Sequence, residues 1–393
     1  MRLGRFQITE YNDQMHRFLL LTTCVFATLA GNFGFAIEHV SIRRDGESIH
    51  VDGKIIVEAA DGGLLVQDTK GVLWAITPDE IVNRDSDAIP FTPADHDEMS
   101  ERLLKEFPDG FRVHKTAHYV VCYNTSPAYA QWCGSLYERL FLAFNTYWTN
   151  RGFKLHEPEL PLVALVFGDQ RSYAAYAKPE LGDATPKIIG YYSLRSNRVV
   201  MYDLTGSETG GGGRDSTTAR INQLLMRPGA ERTVATVIHE ATHQIAFNCG
   251  LQTRYADIPL WVSEGVAIYF ETPDLRSAKG WRNIGGVNGV RLLEFGRYLR
   301  NRPSDSLVTL ISNDDRFRDP RLAGDAYAEA WALNYFLIRK HLKDYLAYLE
   351  VLSEKRPLRY DAPEDRLAQF KEAFGEDLEK LNTEFIRYLR TVR

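Results

Sequence analysis

The sequence predicts an α+β fold, in which a small β domain precedes a larger mixed domain that is helical in its C-terminal half. Short strand-like runs separated by glycine turns fill residues 54–76. The run LVALVF at 162–167 has the continuous apolar character of a strand that is covered on both faces. After residue 271 the apolar side chains recur at helical spacing instead, which predicts helices at 325–342, 345–352, 364–374 and 378–389.

Length and composition are typical of a globular protein. The chain has 393 residues, of which 44% are hydrophobic and 25% are charged, enough for two domains and a sizeable core. A formal net charge of -5 gives no reason to expect a nucleic acid or an anionic membrane surface as partner. The predicted divisions are a signal peptide at 1–36, a β domain at 37–92, a connector helix at 93–111 and a main domain at 112–393.

The amino terminus has the pattern of a signal peptide. Arginines precede the apolar run at 18–30, which is short for a bilayer span, and Gly34-Phe35-Ala36 offers a small-x-small cleavage site. We therefore expect export, to the periplasm, the cell envelope or the medium, with an uncleaved membrane anchor as the competing interpretation. An odd number of cysteines follows, which cannot form a complete disulfide framework, so buried thiols are the simplest expectation. These cysteines are Cys122, Cys133 and Cys249.

Three strand-like runs define the predicted β domain, and the turns between them are Asp61-Gly62-Gly63 and Lys70-Gly71. The runs are 54–59, 64–68 and 72–76. We expect a compact meander or an SH3-like barrel, which either packs against the main domain or binds a peptide or wall polymer. A short connector helix follows, which Pro93 opens and Pro108-Asp109-Gly110 closes.

The main domain begins near Phe111 with a predicted strand at 118–123. Ser126-Pro127 is a favourable helix start, with the serine as cap and the proline in the first turn. The helix carries large side chains at every fourth position, which indicates core packing. They are Trp132, Leu136, Leu140, Phe144 and Trp148. After the apolar strand, a short helix is expected at 170–177.

Two predicted strands at 188–193 and 198–203 form a hairpin. The hairpin is either an ordinary sheet edge or an edge strand that binds an extended substrate by backbone pairing. The glycine run at 210–213 lacks the G-K-[ST] of a phosphate loop. We expect residues 206–229 to form a mobile loop, which serves either as a lid or as a passive insert.

The most informative stretch is 233–247, which reads TVATVIHEATHQIAF. Its apolar residues keep a helical period, and Gly250 is a plausible stop. His239 and His243 are four positions apart, so on a helix they share a face and can reach one ion. Glu240 would lie beside that ion, where a general base is needed.

A third ligand should come from elsewhere, because catalytic zinc keeps three protein ligands and a water. Glu264 is the candidate, within the short helical pattern W-V-S-E-G-V-A that follows Pro259. The competing interpretation is a buried amphipathic helix with two satisfied histidines.

The two motifs resemble those of the gluzincin metallopeptidases, and the W-x-x-E-G-x-A stretch is similar to that of the aminopeptidase-N-like branch. The layout also resembles secreted bacterial proteins that carry a peptidase-MA-like domain. The resemblance implies a zincin-like domain with Glu240 as general base. It implies a zinc ion held by His239, His243 and Glu264. Because relatives use a Tyr or His from the downstream helices to stabilise the oxyanion, Tyr327 is the first candidate here and Tyr335 the second.

The sequence also departs from these families. There is no G-x-M-E-N segment to capture a substrate amino terminus, and Ile268 stands where thermolysin-like relatives carry an Asp. Aminopeptidase specificity is therefore not implied, and the residue that orients the histidine is unassigned. Our leading hypothesis is an exported zinc metallopeptidase that acts on peptides or proteins, including those of the cell envelope. The alternatives are a catalytically inactive metal-containing binding protein of the envelope and zinc-dependent hydrolysis of another amide, such as a cell-wall peptide.

Overall fold

The computed structural model describes residues 36–205, Ile221, 230–272 and 284–393. It has the predicted α+β architecture: an N-terminal antiparallel sheet, a mixed sheet and a helical C-terminal half. The expected signal peptide lies outside the described residues apart from Ala36, and the expected loop at 206–229 lies outside them apart from Ile221. None of the helices in the described part of the chain is long and apolar enough to cross a membrane.

The N-terminal sheet is an antiparallel meander in the order β4-β3-β2-β1-β5, so that the last strand returns to pair with the first. Its strands are β1 (Ala36–Arg44), β2 (Glu47–Glu58), β3 (Leu64–Asp68), β4 (Leu73–Ile76) and β5 (Ile81–Pro90). The predicted runs correspond to the end of β2, to β3 and to β4, whereas β1 and β5 were not predicted. Closure into an SH3-like barrel stays a prediction.

The connector forms α1 (His96–Glu106), which begins slightly later than Pro93. Asp95 caps the helix, because its side chain accepts hydrogen bonds from the backbone nitrogens of Asp97 and Glu98. Met99 and Leu103 on this helix are buried against the main sheet. The connector is therefore part of the core of the main domain.

The main sheet has five strands in the order β6-β7-β8-β10-β9. They are β6 (Arg112–Lys115), β7 (Tyr119–Tyr123), β8 (Leu162–Phe167), β9 (Gly190–Ser193) and β10 (Arg198–Tyr202). The apolar strand β8 is central, parallel to both of its neighbours and buried along its whole length, as predicted. The hairpin of β9 and β10 forms one edge of the sheet, with β9 outermost.

Helices cover both faces of this sheet. On one face lie α1 and α3 (Gln170–Leu181), which pack on Val163 and Leu165. On the other face lies α2 (Pro127–Thr149), whose Ser126 cap accepts the backbone N–H of Tyr129. Because side chains alternate across a strand, the two faces of β8 supply two separate cores.

The C-terminal half is an assembly of nine helices among the described residues. They are α4 (Ala230–Asn248), α5 (Leu260–Phe270), α6 (Gly289–Tyr298), α7 (Ser306–Ser312), α8 (Asp315–Arg318), α9 (Ala323–Lys340), α10 (Leu342–Ser353), α11 (Pro363–Phe374) and α12 (Leu378–Leu389). The sequence predicted α4, α5 and the four helices from α9 onward, but not α6, α7 or α8. Almost every residue of α5 is buried, so this helix lies at the centre of the C-terminal half.

The N-terminal sheet packs directly against the main domain, at the loop that joins α4 to α5. In that loop, Arg254 Nη1 donates to the carbonyl oxygens of Gly71 at 2.9 Å and Leu194 at 3.1 Å. The backbone N–H of Leu73 donates to the carbonyl oxygen of Arg195 at 2.8 Å. An apolar contact formed by Leu65, Leu73 and Tyr255 accompanies these bonds. The contacts agree with the packing role that the sequence left open.

The cysteines of the described chain are buried free thiols, as the odd count predicted. Cys122 lies on β7, Cys133 lies on α2, and Cys249 directly follows α4.

Candidate metal centre

Helix α4 carries the His239-Glu240-Ala241-Thr242-His243 motif and ends where the sequence predicted. Gly250 follows the helix with φ at 87°, in the left-handed region that glycine adopts without a steric penalty. The buried Gln244 fastens the helix to the sheet, because its side-chain nitrogen donates to the carbonyl oxygens of Val163 at 3.0 Å and Asn197 at 2.8 Å. This anchoring fixes the face that the motif presents.

Helix α5 brings Glu264 to that face. The first backbone N–H of the helix, on Leu260, donates to Asp314 Oδ1 at 3.0 Å, which compensates for the lack of a side-chain cap at Pro259. Next to Glu264 in the helix, Gly265 packs against Asn334 of α9. The Asn334 side chain donates to the carbonyl oxygen of Trp261 at 2.8 Å. Helix α5 is therefore held from both sides while Glu264 faces α4.

The three predicted ligands converge in a buried cluster. The Nε2 atoms of His239 and His243 are 3.1 Å apart, and His239 Nε2 is 3.1 Å from Glu264 Oε2. Glu264 Oε1 lies 3.6 Å from His243 Nε2. Tetrahedral ligands at about 2.0–2.1 Å from a zinc ion are separated by about 3.3 Å from one another. The spacing of the donors therefore suits one small cation.

Electrostatics at the cluster also favour a cation. Burial lowers the pKa of His239, but hydrogen bonds to Glu264 and Glu271 outweigh burial and raise this pKa well above its ordinary value. Burial raises the pKa of Glu264, yet charge on His243 and hydrogen bonds from the histidines hold it below its ordinary value. A positive charge, whether a proton or a metal ion, is thus stabilised between the three side chains.

Glu271 orients the first histidine, a role that the sequence analysis left unassigned. His239 Nδ1 lies 2.7 Å from Glu271 Oε1, and Asn288 Nδ2 donates to Glu271 Oε2 at 3.3 Å. Because a carboxylate accepts the Nδ1 proton, the lone pair of His239 Nε2 points at the metal position. Glu271 follows α5 about two helical turns after Glu264, so the spacing that carries both carboxylates to one face was present in the sequence.

The second histidine has a polar partner of its own. The Ser263 hydroxyl lies 3.3 Å from His243 Nδ1 and donates to Gln252 Oε1 at 3.1 Å. Because the Ser263 hydroxyl donates its proton to Gln252, its oxygen accepts the hydrogen bond from His243 Nδ1–H. The Nε2 atom of His243 is then unprotonated and can serve as a metal ligand. The arrangement assigns the same tautomer to both histidines.

Glu240 is buried beside the cluster and faces the edge strand β9. The backbone N–H of Tyr192 on that strand donates to Glu240 Oε2 at 2.9 Å. Burial raises the pKa of the Glu240 carboxyl, and the charges of His239 and His243 offset part of that rise. A carboxylate of raised basicity next to a metal position is suited to take up a proton.

A cleft opens onto the cluster. It is lined by Ile188, Ile189, Gly190, Ala235, Thr236, His239, Glu240, Glu271, Arg291 and Tyr327. The first three of these residues lead into and begin β9, so the predicted hairpin borders the cleft as expected. Tyr327, in the second turn of α9, lines the cleft together with Glu240.

Tyr335 has different surroundings from Tyr327. Its ring lies 6.2 Å from that of Tyr269, 5.4 Å from that of Trp331 and 6.3 Å from that of Tyr388. It is not part of the described lining of the cleft. Of the two tyrosines named from the sequence, Tyr327 is therefore the one that lies at the candidate site.

Comparison with known proteins gives one family match. The model of a family described as a protein of unknown function (DUF1570) matches residues 233–359, which is less than half of the chain. The matched segment contains His239, Glu240, His243 and Glu264 and extends through α9, with Tyr327. No curated protein matches the chain.

Proposed function

We propose that this protein is a zinc-dependent metallopeptidase, with Glu240 as general base. The observation that carries the proposal is the buried cluster of His239, His243 and Glu264, with a second carboxylate, Glu240, beside it in an open cleft. A purely structural metal site would have no use for a base at that position. Export through residues 1–36 is part of the proposal and would give access to peptides and proteins of the cell envelope.

Zinc is the proposed metal because of the donor set. Two neutral imidazoles and one carboxylate suit zinc, whereas calcium and magnesium prefer oxygen ligands alone. The three donor atoms leave the side toward the cleft for a fourth, non-protein ligand, as in catalytic rather than structural zinc sites. The hydrogen bonds that the Nδ1 atoms of His239 and His243 donate to Glu271 and Ser263 fix the tautomers that such a site requires.

In the proposed reaction, His239, His243 and Glu264 would hold the zinc ion, which would supply a Lewis acid to acidify a water and polarise the scissile carbonyl. The Glu240 carboxylate accepts the proton of the attacking water and then donates it to the leaving amine nitrogen. The water oxygen first forms a C–O bond to the carbonyl carbon, and the peptide C–N bond breaks once the leaving nitrogen has accepted the proton from Glu240. Rotation of Glu240 away from the Tyr192 N–H would free both of its oxygens for this transfer.

Tyr327 is the proposed donor to the oxygen that gains negative charge. A phenol is a suitable donor there, because it can bond the oxyanion without changing its own charge. Its place in the lining of the cleft, on the same cavity as Glu240, supports this role. A narrower substrate, such as the amide bond of a cell-wall peptide, would use the same chemistry.

The test is a Glu240→Gln variant incubated with a broad peptide mixture and analysed by mass spectrometry. The wild-type chain with zinc should cleave peptides, and the variant should lose at least about 10²-fold in rate, the usual contribution of a general base. Its zinc content and melting temperature should stay those of the wild type. Cleavage that survives in the variant would remove Glu240 from the mechanism.

A Glu264→Ala variant and a chelator-treated sample serve as controls for the metal. Both should contain less zinc and lose cleavage together, and zinc added back should restore only the chelated wild type. A folded, zinc-loaded wild type that cleaves no peptide would instead favour the alternative, a metal-containing binding protein of the envelope.

A further inference from the structure

One cation in the cleft has no part in the proposed chemistry. Arg291, in the first turn of α6, lines the cleft with Glu240 and Tyr327, and only 12% of its side chain is exposed. Its guanidinium carbon lies 5.6 Å from the centre of the Tyr327 ring. The positive charge is therefore held within the space that a substrate would occupy.

The charge of Arg291 is only partly compensated by the protein. Nη1 donates to Glu294 Oε2 at 3.0 Å, and the side chain of Glu294 is 38% exposed, so water weakens that ion pair. No other acceptor for the guanidinium is found among the described residues, and a guanidinium has five N–H donors. The remaining donors are available to a group that enters the cleft.

The two carboxylates that line the cleft, those of Glu240 and Glu271, already accept hydrogen bonds from other groups of the protein. Glu271 accepts from His239 and Asn288, and Glu240 accepts from the backbone of Tyr192. Ile188 and Ile189 add an apolar wall. An anion that enters between that wall and Arg291 would lose part of its hydration, and a charge-assisted, forked hydrogen bond with the guanidinium would offset that loss.

We propose that Arg291 recognises a carboxylate of the substrate, either the C-terminal carboxylate or an acidic side chain close to the scissile bond. This inference rests on the proposed peptidase function and names the substrate class of the same site. The competing role is structural, with Arg291 only packing on the Tyr327 ring. Because packing is indifferent to the charge of the substrate, the two roles differ in a measurable way.

The experiment measures binding rather than turnover, with the full-length, zinc-loaded Glu240→Gln protein. Four N-acetylated peptides are titrated by calorimetry: Ala-Ala-Phe-Ala-Ala with a free or an amidated C-terminus, and amidated Ala-Ala-Phe-Glu-Ala or Ala-Ala-Phe-Gln-Ala. We expect one of the two carboxylate peptides to bind about 10- to 100-fold more tightly than its neutral counterpart, the ratio that a charge-assisted bond provides. Which of the two does so identifies the source of the carboxylate.

Three further substitutions test the assignment. Arg291→Gln should abolish the preference and leave binding of the neutral peptides unchanged, whereas Arg297→Gln, at an exposed arginine of the same helix, should preserve it. Glu294→Gln should increase the preference, because it removes the competing carboxylate. Equal binding of charged and neutral peptides, a preference that survives Arg291→Gln, or an equal loss for all four peptides would overturn the proposal. A preference that depends on Arg291 in a protein whose wild type cleaves nothing would leave this recognition standing and reject the peptidase.

Discussion

Glu271 illustrates how one carboxylate outside the candidate ligand set orients a side chain of that set. It fixes the tautomer of His239 from the side away from the metal position. We predict that Glu271→Gln lowers zinc affinity by about 10- to 100-fold, the usual cost of losing such a partner. Competition with a fluorescent zinc chelator measures the change. The matched control is Glu354→Gln, at an exposed position, and equal affinities in the two variants would contradict the assignment.

At the residue scale the sequence predicted the ligands better than their partners. The order of His239, Glu240 and His243 within one helix is a local spacing, and the structure brings these residues together with Glu264 as expected. The partner of His239 depends on where α5 ends relative to α4, which is a tertiary relation. At position 268, where the thermolysin-like families that the motifs resemble carry an Asp, this chain has a buried isoleucine, and the carboxylate beside His239 comes from Glu271 instead.

Gly265, in the W-V-S-E-G-V-A stretch, allows helices α5 and α9 to approach each other closely. A Cβ atom at Gly265 would lie 1.9 Å from Asn334 Nδ2, and Asn334 is fixed by hydrogen bonds to Trp261 and Ala330. Only a residue without a side chain allows this contact between α5 and α9. The glycine next to Glu264 is therefore required by packing.

We predict that Gly265→Ala destabilises the protein by at least about 2 kcal/mol, because overpacking forces α5 away from α9. Zinc affinity should fall as well, since Glu264 moves with the helix. Thermal unfolding with and without zinc measures both effects. Gly296→Ala is the matched control: it lies in α6, where an added Cβ would meet no atom within 4 Å, and should be neutral or stabilising by up to about 1 kcal/mol.

Elements with a strong local pattern were predicted, and elements defined by their neighbours were not. Strand β8 is a continuous apolar run, and helices α2, α4, α5 and α9 through α12 follow helical apolar patterns. Both signals belong to the chain itself. Strand β5 reads IVNRDSDAIP and is mostly exposed, so its pairing with β1 defines it as a strand. Helices α7 and α8 are too short to show a helical period.

Across the whole molecule, Arg254 couples the N-terminal sheet to the loop that joins α4 to α5. Its guanidinium is buried and satisfies the carbonyl oxygens of Gly71 and Leu194. Replacing it would leave two carbonyl oxygens without a donor in a region of low solvent access. The sheet therefore supports the loop on which the relative placement of α4 and α5 depends.

We predict that Arg254→Met lowers the free energy of unfolding by about 1–3 kcal/mol for each carbonyl that loses its donor. Urea titration followed by tryptophan fluorescence measures the loss. The control is Arg171→Met, at an exposed arginine of α3, which should stay within about 0.5 kcal/mol of wild type. An Arg254 variant as stable as this control would show that the sheet contributes nothing through that contact.

The reactivity of the buried cysteine thiols can report local unfolding of this protein. Burial raises the pKa of Cys122 and of Cys249 to about 12, and it raises that of Cys133 well above its ordinary value. Since the thiolate is the reactive species, alkylating reagents should spare all three in the native chain. Each cysteine is alkylated only when the structure around it unfolds. For Cys122 this is strand β7, for Cys133 helix α2, and for Cys249 the end of helix α4. The order in which the three cysteines become alkylated would then show which part of the molecule unfolds first.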